Sequence, residues 1–277
     1  MEIMNIKRIR LLRAVTVRGR NIFGMPAWIT FTPTGGHGWY LQDTHTNALA
    51  PINKTLIRCG KNTLYARNRS TTIHELEHIM SLRWFGLDCV SITGSHWPPA
   101  YSTEEYWMHF CTSDLILSKE EDNIPVFDII GAHKHYSNLK GMVRGTHIGA
   151  APKTYPGFGE ISIEVFIDYK GIGRNTKFYD LESFASVAGT YPQGYPFYRY
   201  YACKAFSLIG WPHMKRVVWP QKYKKEKTLN LFADHRALDI FGALAMIHHR
   251  MLPGNFHFSS ICSGHLYDMH AIKNIPV

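Results

Sequence analysis

The chain has 277 residues, 45% hydrophobic and 19% charged, with 7 Trp, 15 Tyr and 15 Phe, which suits one large or two modest packed domains and excludes a disordered chain. Lysine and arginine number 31 against 21 acidic residues, a formal charge of +10 that favours an anionic partner without choosing among a phosphate-bearing small molecule, nucleic acid and an acidic membrane surface. No run approaches the roughly 18 apolar residues of a membrane span, and residues 1–20 lack the apolar block of a signal peptide, so a cytoplasmic protein is expected.

Strand-like runs at residues 11–17 and 28–32 flank a glycine-containing turn, and another follows Gly35-Gly36 at 38–42, predicting a small antiparallel sheet at the start. From Thr72 the apolar residues Ile73, Leu76, Ile79, Met80 and Leu82 take helical spacing, with Gly86 closing the helix before a short strand at 89–92. The polar stretch 118–123, followed by Pro125, reads as a linker. That places the domain boundary there, with an α+β domain over 1–120 and a second over 124–277. The second half repeats the order: strands at 161–169 and 177–181, an aromatic-rich loop at 191–201, and a helix over 233–249. The basic run 222–227 is expected in a loop as solvated surface. The 5 cysteines (Cys59, Cys89, Cys111, Cys203, Cys262) are scattered, without a C-x-x-C pair, and read as buried or idle thiols. The fold class is therefore α+β, as two similar sheet-plus-helix domains.

Three clusters carry residue types suited to chemistry. His74-Glu75-Leu76-Glu77-His78 reads literally as H-E-x-x-H, which on a helix presents two imidazoles to a zinc ion with Glu75 as base, and Glu104 or Glu105 as a third ligand. His235 and Asp239 are four apart, so on a helix an imidazole and a carboxylate leave one face as a pair of metal ligands or as a hydrogen-bonded surface pair. Their apolar neighbours Leu238, Ile240, Phe241 and Leu244 argue against a fully solvated helix. In Cys262-Ser263-Gly264-His265 the glycine permits a sharp turn that aims a histidine from a short loop, and histidine holds or gives up a proton near neutral pH.

Taken in order, the clusters resemble the UDP-3-O-acyl-N-acetylglucosamine deacetylases of lipid A biosynthesis. Ser70-Thr71, then Glu77-His78-Ile79-Met80-Ser81-Leu82 and Gly86-Leu87-Asp88, resemble that family's S-T…E-H-L-M-x-A-L…G-I-D, with extra residues before the Glu-His pair. Residues 232–239 are similar to F-x-x-H-K-x-L-D, Gly242 also fits, and Ser263-Gly264-His265 resembles S-G-H. Weaker likenesses lie at 21–33, at 161–173 and at Ala188-Gly189-Thr190-Tyr191, so the resemblance covers most of the chain.

The resemblance implies two similar α+β domains with a zinc site between them. His78, His235 and Asp239 would be the ligands, with iron(II) as an alternative metal. Glu77 would be the base acting on metal-bound water, Thr190 would help zinc stabilise the oxyanion, and His265 would protonate the departing amine. Arg236, Tyr191 and Gly264 would contact the substrate, a small N-acetylated sugar, anionic or nucleotide-linked. Peripheral contact with an anionic membrane fits such a substrate, and no nucleic acid is expected. The chain departs from the family at Arg236 and Cys262, both lysine there, and at 266–270, where the family has an asparagine-rich tail. Pro98-Pro99-Ala100-Tyr101-Ser102 stands where the family has M-D-G-S-A. The acidic residue that orients the proton-donating histidine is Ala243 here, leaving Asp268 or another group to take that place. Three alternatives remain: a deacetylase of a non-UDP sugar conjugate, an H-E-x-x-H metallopeptidase, and an inactive binding homologue.

Overall fold

The computed structural model describes residues 5–60, 63–112, 117–128, 136–137, 147–152, 161–169, 173–190, 225–254, 256–261 and 264–275. The architecture is α+β. In the first half, β1 (Lys7–Leu11), β2 (Val15–Arg20), β3 (Pro26–Pro33), β4 (Trp39–Gln42) and β5 (Leu49–Pro51) precede β6 (Ile57–Cys59), β7 (Leu64–Arg67), β8 (Thr72–Ile73) and β9 (Val90–Gly94). A five-stranded sheet runs β2-β3-β9-β4-β5, with β9 antiparallel to β3 and parallel to β4, and β6-β7-β8 form a separate antiparallel sheet. The pleat explains the pattern in β3: Ala27, Ile29 and Phe31 point into the core while Trp28 stays exposed. Phe31 meets Trp39, Tyr106 and Phe110 edge-on, with ring centroids 6.2, 6.0 and 5.0 Å away.

The second half holds β10 (Leu117–Asn123), β11 (Val126–Asp128), β12 (Tyr136–Ser137), β13 (His147–Pro152), β14 (Ile161–Tyr169), β15 (Gly173–Asp180), β16 (Leu252–Gly254) and β17 (Phe256–Ile261). Its main sheet runs β12-β13-β17-β14-β15, so the last strand in sequence occupies the middle, parallel to β14 and antiparallel to β13. The described helices are α1 (Leu76–Met80), continued by a 3₁₀ turn (Ser81–Phe85), then α2 (Thr103–Thr112), α3 (Phe184–Ala188), α4 (Lys225–Ala245) and α5 (His265–Asn274). No described helix is long and apolar enough to cross a membrane.

Helix α4 organises the core: from Ala237 to Ala245 every residue is buried. It packs against α1, the 3₁₀ turn, α3, α5, β14 and β15. Trp84 of the turn donates its indole N–H to the Phe241 carbonyl at 2.8 Å, and Phe184 lies 5.1 Å from the Phe241 ring. The carbonyls freed where α4 ends need donors. Buried Arg83 supplies one, its Nη1 bonding Ala245 O at 2.5 Å and His248 O at 2.7 Å.

Several expectations are corrected. Residues 118–123 are strand β10, not a linker, and position 120 falls inside it. The reason is charge: β10 lies antiparallel to the basic β1, and Arg8 pairs with Asp122 and, at 2.9 Å, with buried Asp88. The run expected at 11–17 is two strands, with exposed Leu12 at the break between them. The helix expected from Thr72 begins at Leu76; Thr72 and Ile73 are strand, and Glu75 sits at φ 51° in the left-handed region, which stops the helix extending backwards. Gly86 does close that segment, with φ 96°. The later helix starts at Lys225 and ends at Ala245, so 225–227 are helical and not loop; 222–224 and the aromatic stretch 191–201 lie outside the described residues. Of the cysteines, Cys89 is buried, Cys59 partly buried and Cys111 exposed; Cys203 and Cys262 lie outside the described residues.

Candidate metal centre

Three helices deliver the site. Glu77 and His78 come from α1, His235 and Asp239 from one face of α4, and His265 is the first residue of α5. Close approach of α1 to α4 depends on Gly242, where an added Cβ would lie 2.5 Å from the Glu77 carbonyl carbon and 2.7 Å from its Cα. Ser81 sits at the same junction, its hydroxyl bonding the Glu77 carbonyl of its own segment at 2.8 Å and reaching the Leu238 carbonyl of α4 at 3.4 Å.

The Nε2 atoms of His78 and His235 lie 3.5 and 3.6 Å from Asp239 Oδ1, and the two rings meet edge-on at 5.3 Å. The ligand atoms of His78, His235 and Asp239 all lie within 4.8 Å of one another, as do those of Glu77, Asp239 and His265. Asp239 Oδ1 and His235 Nδ1 are buried without a hydrogen-bond partner. Burial alone would lift the Asp239 carboxyl, but the imidazoles of His235, His265 and His78 hold it well below the usual carboxylate range. Burial pulls His78 down, yet the Asp239 carboxylate 3.5 Å away and the Glu77 charge outweigh it and raise the group to about 9. His235, with burial dominant, is held at about 4. Two imidazoles and a carboxylate converging on one buried, unpartnered oxygen form a donor set suited to a zinc-like divalent cation, whose ligand atoms sit about 3.3 Å apart when tetrahedral.

Glu77 is pinned from one side. Leu64 N–H donates to its Oε2 at 3.0 Å and the Thr63 hydroxyl reaches Oε1 at 3.1 Å, while Oε1 also faces His265 Nε2 at 3.7 Å. Burial raises its carboxyl, partly offset by His265 and His78, which suits a proton acceptor. Thr63 and Leu64 were not singled out from sequence, because nothing in a lone Thr-Leu at the start of a strand signals that it will face a glutamate 13–14 residues on.

Other expected residues fall elsewhere. The Thr190 hydroxyl donates to the Val187 carbonyl at 2.5 Å, so its proton is directed along its own chain. Arg236, expected to contact the substrate, is buried and bound through Nη1 (2.6 Å) and Nη2 to the two oxygens of Asp268, with Nε 3.3 Å from Ser260 Oγ. Gly264 has extended backbone with open space around its α-carbon, and His265 stands on a helix, not in a short loop. Tyr191 lies outside the described residues. His74 is stacked between Tyr65 and Trp97, at centroid distances of 4.8 and 4.2 Å, and neither it nor Glu75 belongs to any potential metal-binding group among the described residues. The helical H-E-x-x-H geometry is therefore not formed. Glu105 instead caps α2, its N–H bonding Ser102 Oγ at 3.1 Å while its carboxylate accepts from Ser102 N–H at 3.4 Å. The third metal-capable group, His37, Asp88 and Cys89, is committed to structure, since Asp88 accepts from Arg8 and from Gly38 N–H.

In comparisons with known proteins, no family model and no curated protein matches the chain.

Proposed function

We propose that the protein is a zinc-dependent amide hydrolase that removes an acetyl group from an N-acetylated amino sugar, related to the UDP-3-O-acyl-N-acetylglucosamine deacetylases. The observation that carries the reading is the buried, unpartnered Asp239 Oδ1 with two imidazole Nε2 atoms 3.5 and 3.6 Å away. His78, His235 and Asp239 would hold the metal, iron(II) being the alternative occupant. Glu77 and His78 would come from the first half of the chain, and His235, Asp239 and His265 from the second. When bound, zinc supplies Lewis-acid polarisation of the amide carbonyl and lowers the pKa of water to about 7.

The chain's own residues then divide the proton work. Glu77, with Oε2 tied to Leu64 N–H, presents Oε1 as the acceptor of the proton from the attacking water. His265 Nε2, 3.7 Å from Glu77 Oε1 and 3.8 Å from Asp239 Oδ2, is the donor to the departing amine. Engagement of Arg236 by Asp268 favours a substrate whose anionic part is not read by Arg236, and so a sugar conjugate other than the UDP-linked one.

The test joins metal analysis of the purified chain to an acetate-release screen over free, phosphorylated and UDP-linked N-acetyl sugars. One zinc per chain and release abolished by Glu77→Gln is the expected result. A chain that takes up no divalent metal, or that holds metal and releases acetate from none of these sugars, would remove the proposal.

A further inference from the structure

We propose that Asp268 is the positioning residue of this site: it holds the His265 imidazole with Nδ1–H directed inward and Nε2 facing the metal cluster, and Arg236 is its counter-ion. The catalytic meaning of this arrangement rests on the amide-hydrolase reading; the arrangement itself does not.

The argument starts from Asp268, a carboxylate with no solvent exposure at all. A charge so placed is tolerated only when paired and hydrogen-bonded. Arg236 meets it with a two-pronged contact from α4 and extends Nε toward Ser260 of β17. Asp268 lies one turn beyond His265 on α5, on the same face. Its N–H bonds Gly264 O at 3.2 Å, which fixes the first turn of the helix.

His265 poses the complementary problem. Its Nδ1 is buried without a hydrogen-bond partner, and Asp268 Oδ2 faces it at 3.7 Å. Its other nitrogen, Nε2, faces Glu77 Oε1 and Asp239 Oδ2 at 3.7 and 3.8 Å. A buried ring N–H finds an acceptor in nearly every folded protein. A small rotation of the ring closes the Nδ1 gap to hydrogen-bond length, about 2.9 Å, the kind of tightening expected when a site fills. Because Arg236 directly follows His235 on α4, the Arg236–Asp268 pair ties the orientation of His265 to the helix that carries two of the cluster's residues. A carboxylate on one imidazole nitrogen fixes which nitrogen is left to work on the other side.

The experiment reads the ring directly. Long-range ¹H–¹⁵N spectra of the zinc-loaded full chain, labelled at histidine nitrogen and assigned with His265→Gln, report which His265 nitrogen carries the proton near pH 7.5. A protonated, exchange-protected Nδ1 is expected in the parent. In Asp268→Asn that proton signal should shift or be lost, with the Nε2–H form becoming the major one. Should Asp268→Asn fail to fold with Arg236 left unpaired, the double variant Arg236→Met, Asp268→Leu removes both charges together, a change that buried pairs tolerate far better. It should show the same loss of the Nδ1–H signal. An Nε2–H tautomer in the parent, or an unchanged Nδ1–H signal in a folded variant, would overturn the proposal and leave the Arg236–Asp268 pair as a structural tie between α4 and α5. If the chain takes up no zinc, the same spectra of the metal-free chain decide the question, so failure of the hydrolase reading and failure of this one remain distinguishable.

Discussion

Replacing Gly242 by alanine puts a methyl group into the seam between α1 and α4, and the cost follows from distances already given. The added carbon would lie 2.5 Å from the Glu77 carbonyl carbon and 2.7 Å from its Cα, whereas non-bonded carbons settle at about 3.5–4.0 Å. The helices must therefore separate by about 1 Å, and since the opposing atoms are backbone, no rotamer change relieves the clash. Overpacking of this kind costs about 1–3 kcal/mol. At roughly 2–4 °C per kcal/mol for a chain of this size, the melting temperature should fall by about 2–12 °C. The displaced segment carries Glu77 and His78, and a 1 Å error in catalytic geometry is worth about 100-fold in rate. Gly242→Ala should therefore lose both bound metal and turnover, measured by metal analysis, thermal unfolding and acetate release. Gly35→Ala, with no atom within 4 Å of the new carbon, is the control and should match the parent. A Gly242→Ala protein that melts with the parent and keeps its metal would refute the claim that this contact sets the geometry of the site.

The other expectations concern the ligands, the ring they surround and the supporting charges. Alanine at His78, His235 or Asp239 should each lower bound zinc by about tenfold or more, whereas His74→Ala should retain it; equal loss at His74 would return the site to the peptidase pattern. Asp268→Asn should lower kcat by about 10- to 100-fold and leave KM near the parent value; a change confined to KM would speak against a role through His265. Burial and nearby His96 hold His74 at about 4 against an ordinary 6.5, so on acidification the unfolded chain takes up this proton first. Stability should consequently drop as pH falls from 6.5 towards 4, and His74→Phe should flatten that limb in a urea-denaturation series; an unaltered slope would contradict the assigned burial. Asp88→Ala strips a partner from buried Arg8 and from Gly38 N–H and should cost about 3–5 kcal/mol, read from the denaturation midpoint; a loss below about 1 kcal/mol would mean Asp122 suffices.

The residues that converge were legible in the sequence because their spacing encodes their geometry. His235 and Asp239 lie one turn apart on a helix whose last turns are apolar, and Glu77-His78 sits at the head of an apolar helical stretch. What the sequence concealed was set by partners distant along the chain. The acidic run 118–123 reads as loop until the basic strand β1 is laid beside it. His74 fits the rival H-E-x-x-H pattern as a ligand until Tyr65 and Trp97 close on its two faces. Arg236 reads as a substrate contact alone because nothing local shows that Asp268, 32 residues on, will engage it. The backward limit of α1 was hidden for a different reason, since a left-handed φ at glutamate is a choice imposed by tertiary packing and against local preference.

The central position of β17 has a consequence for how the chain is made. Residues 256–261 fill the slot between β13 and β14, so until they emerge from the ribosome two strand edges, at 147–152 and 161–169, stand without their partner. The β14–β15 pair closes locally, but the gap beside it stays open while some 75 further residues, α4 among them, are synthesised. Unpaired edges of this kind invite pairing with other chains. Stalled or C-terminally shortened products should therefore aggregate through the second sheet, while the first sheet, complete by residue 94, folds ahead of them.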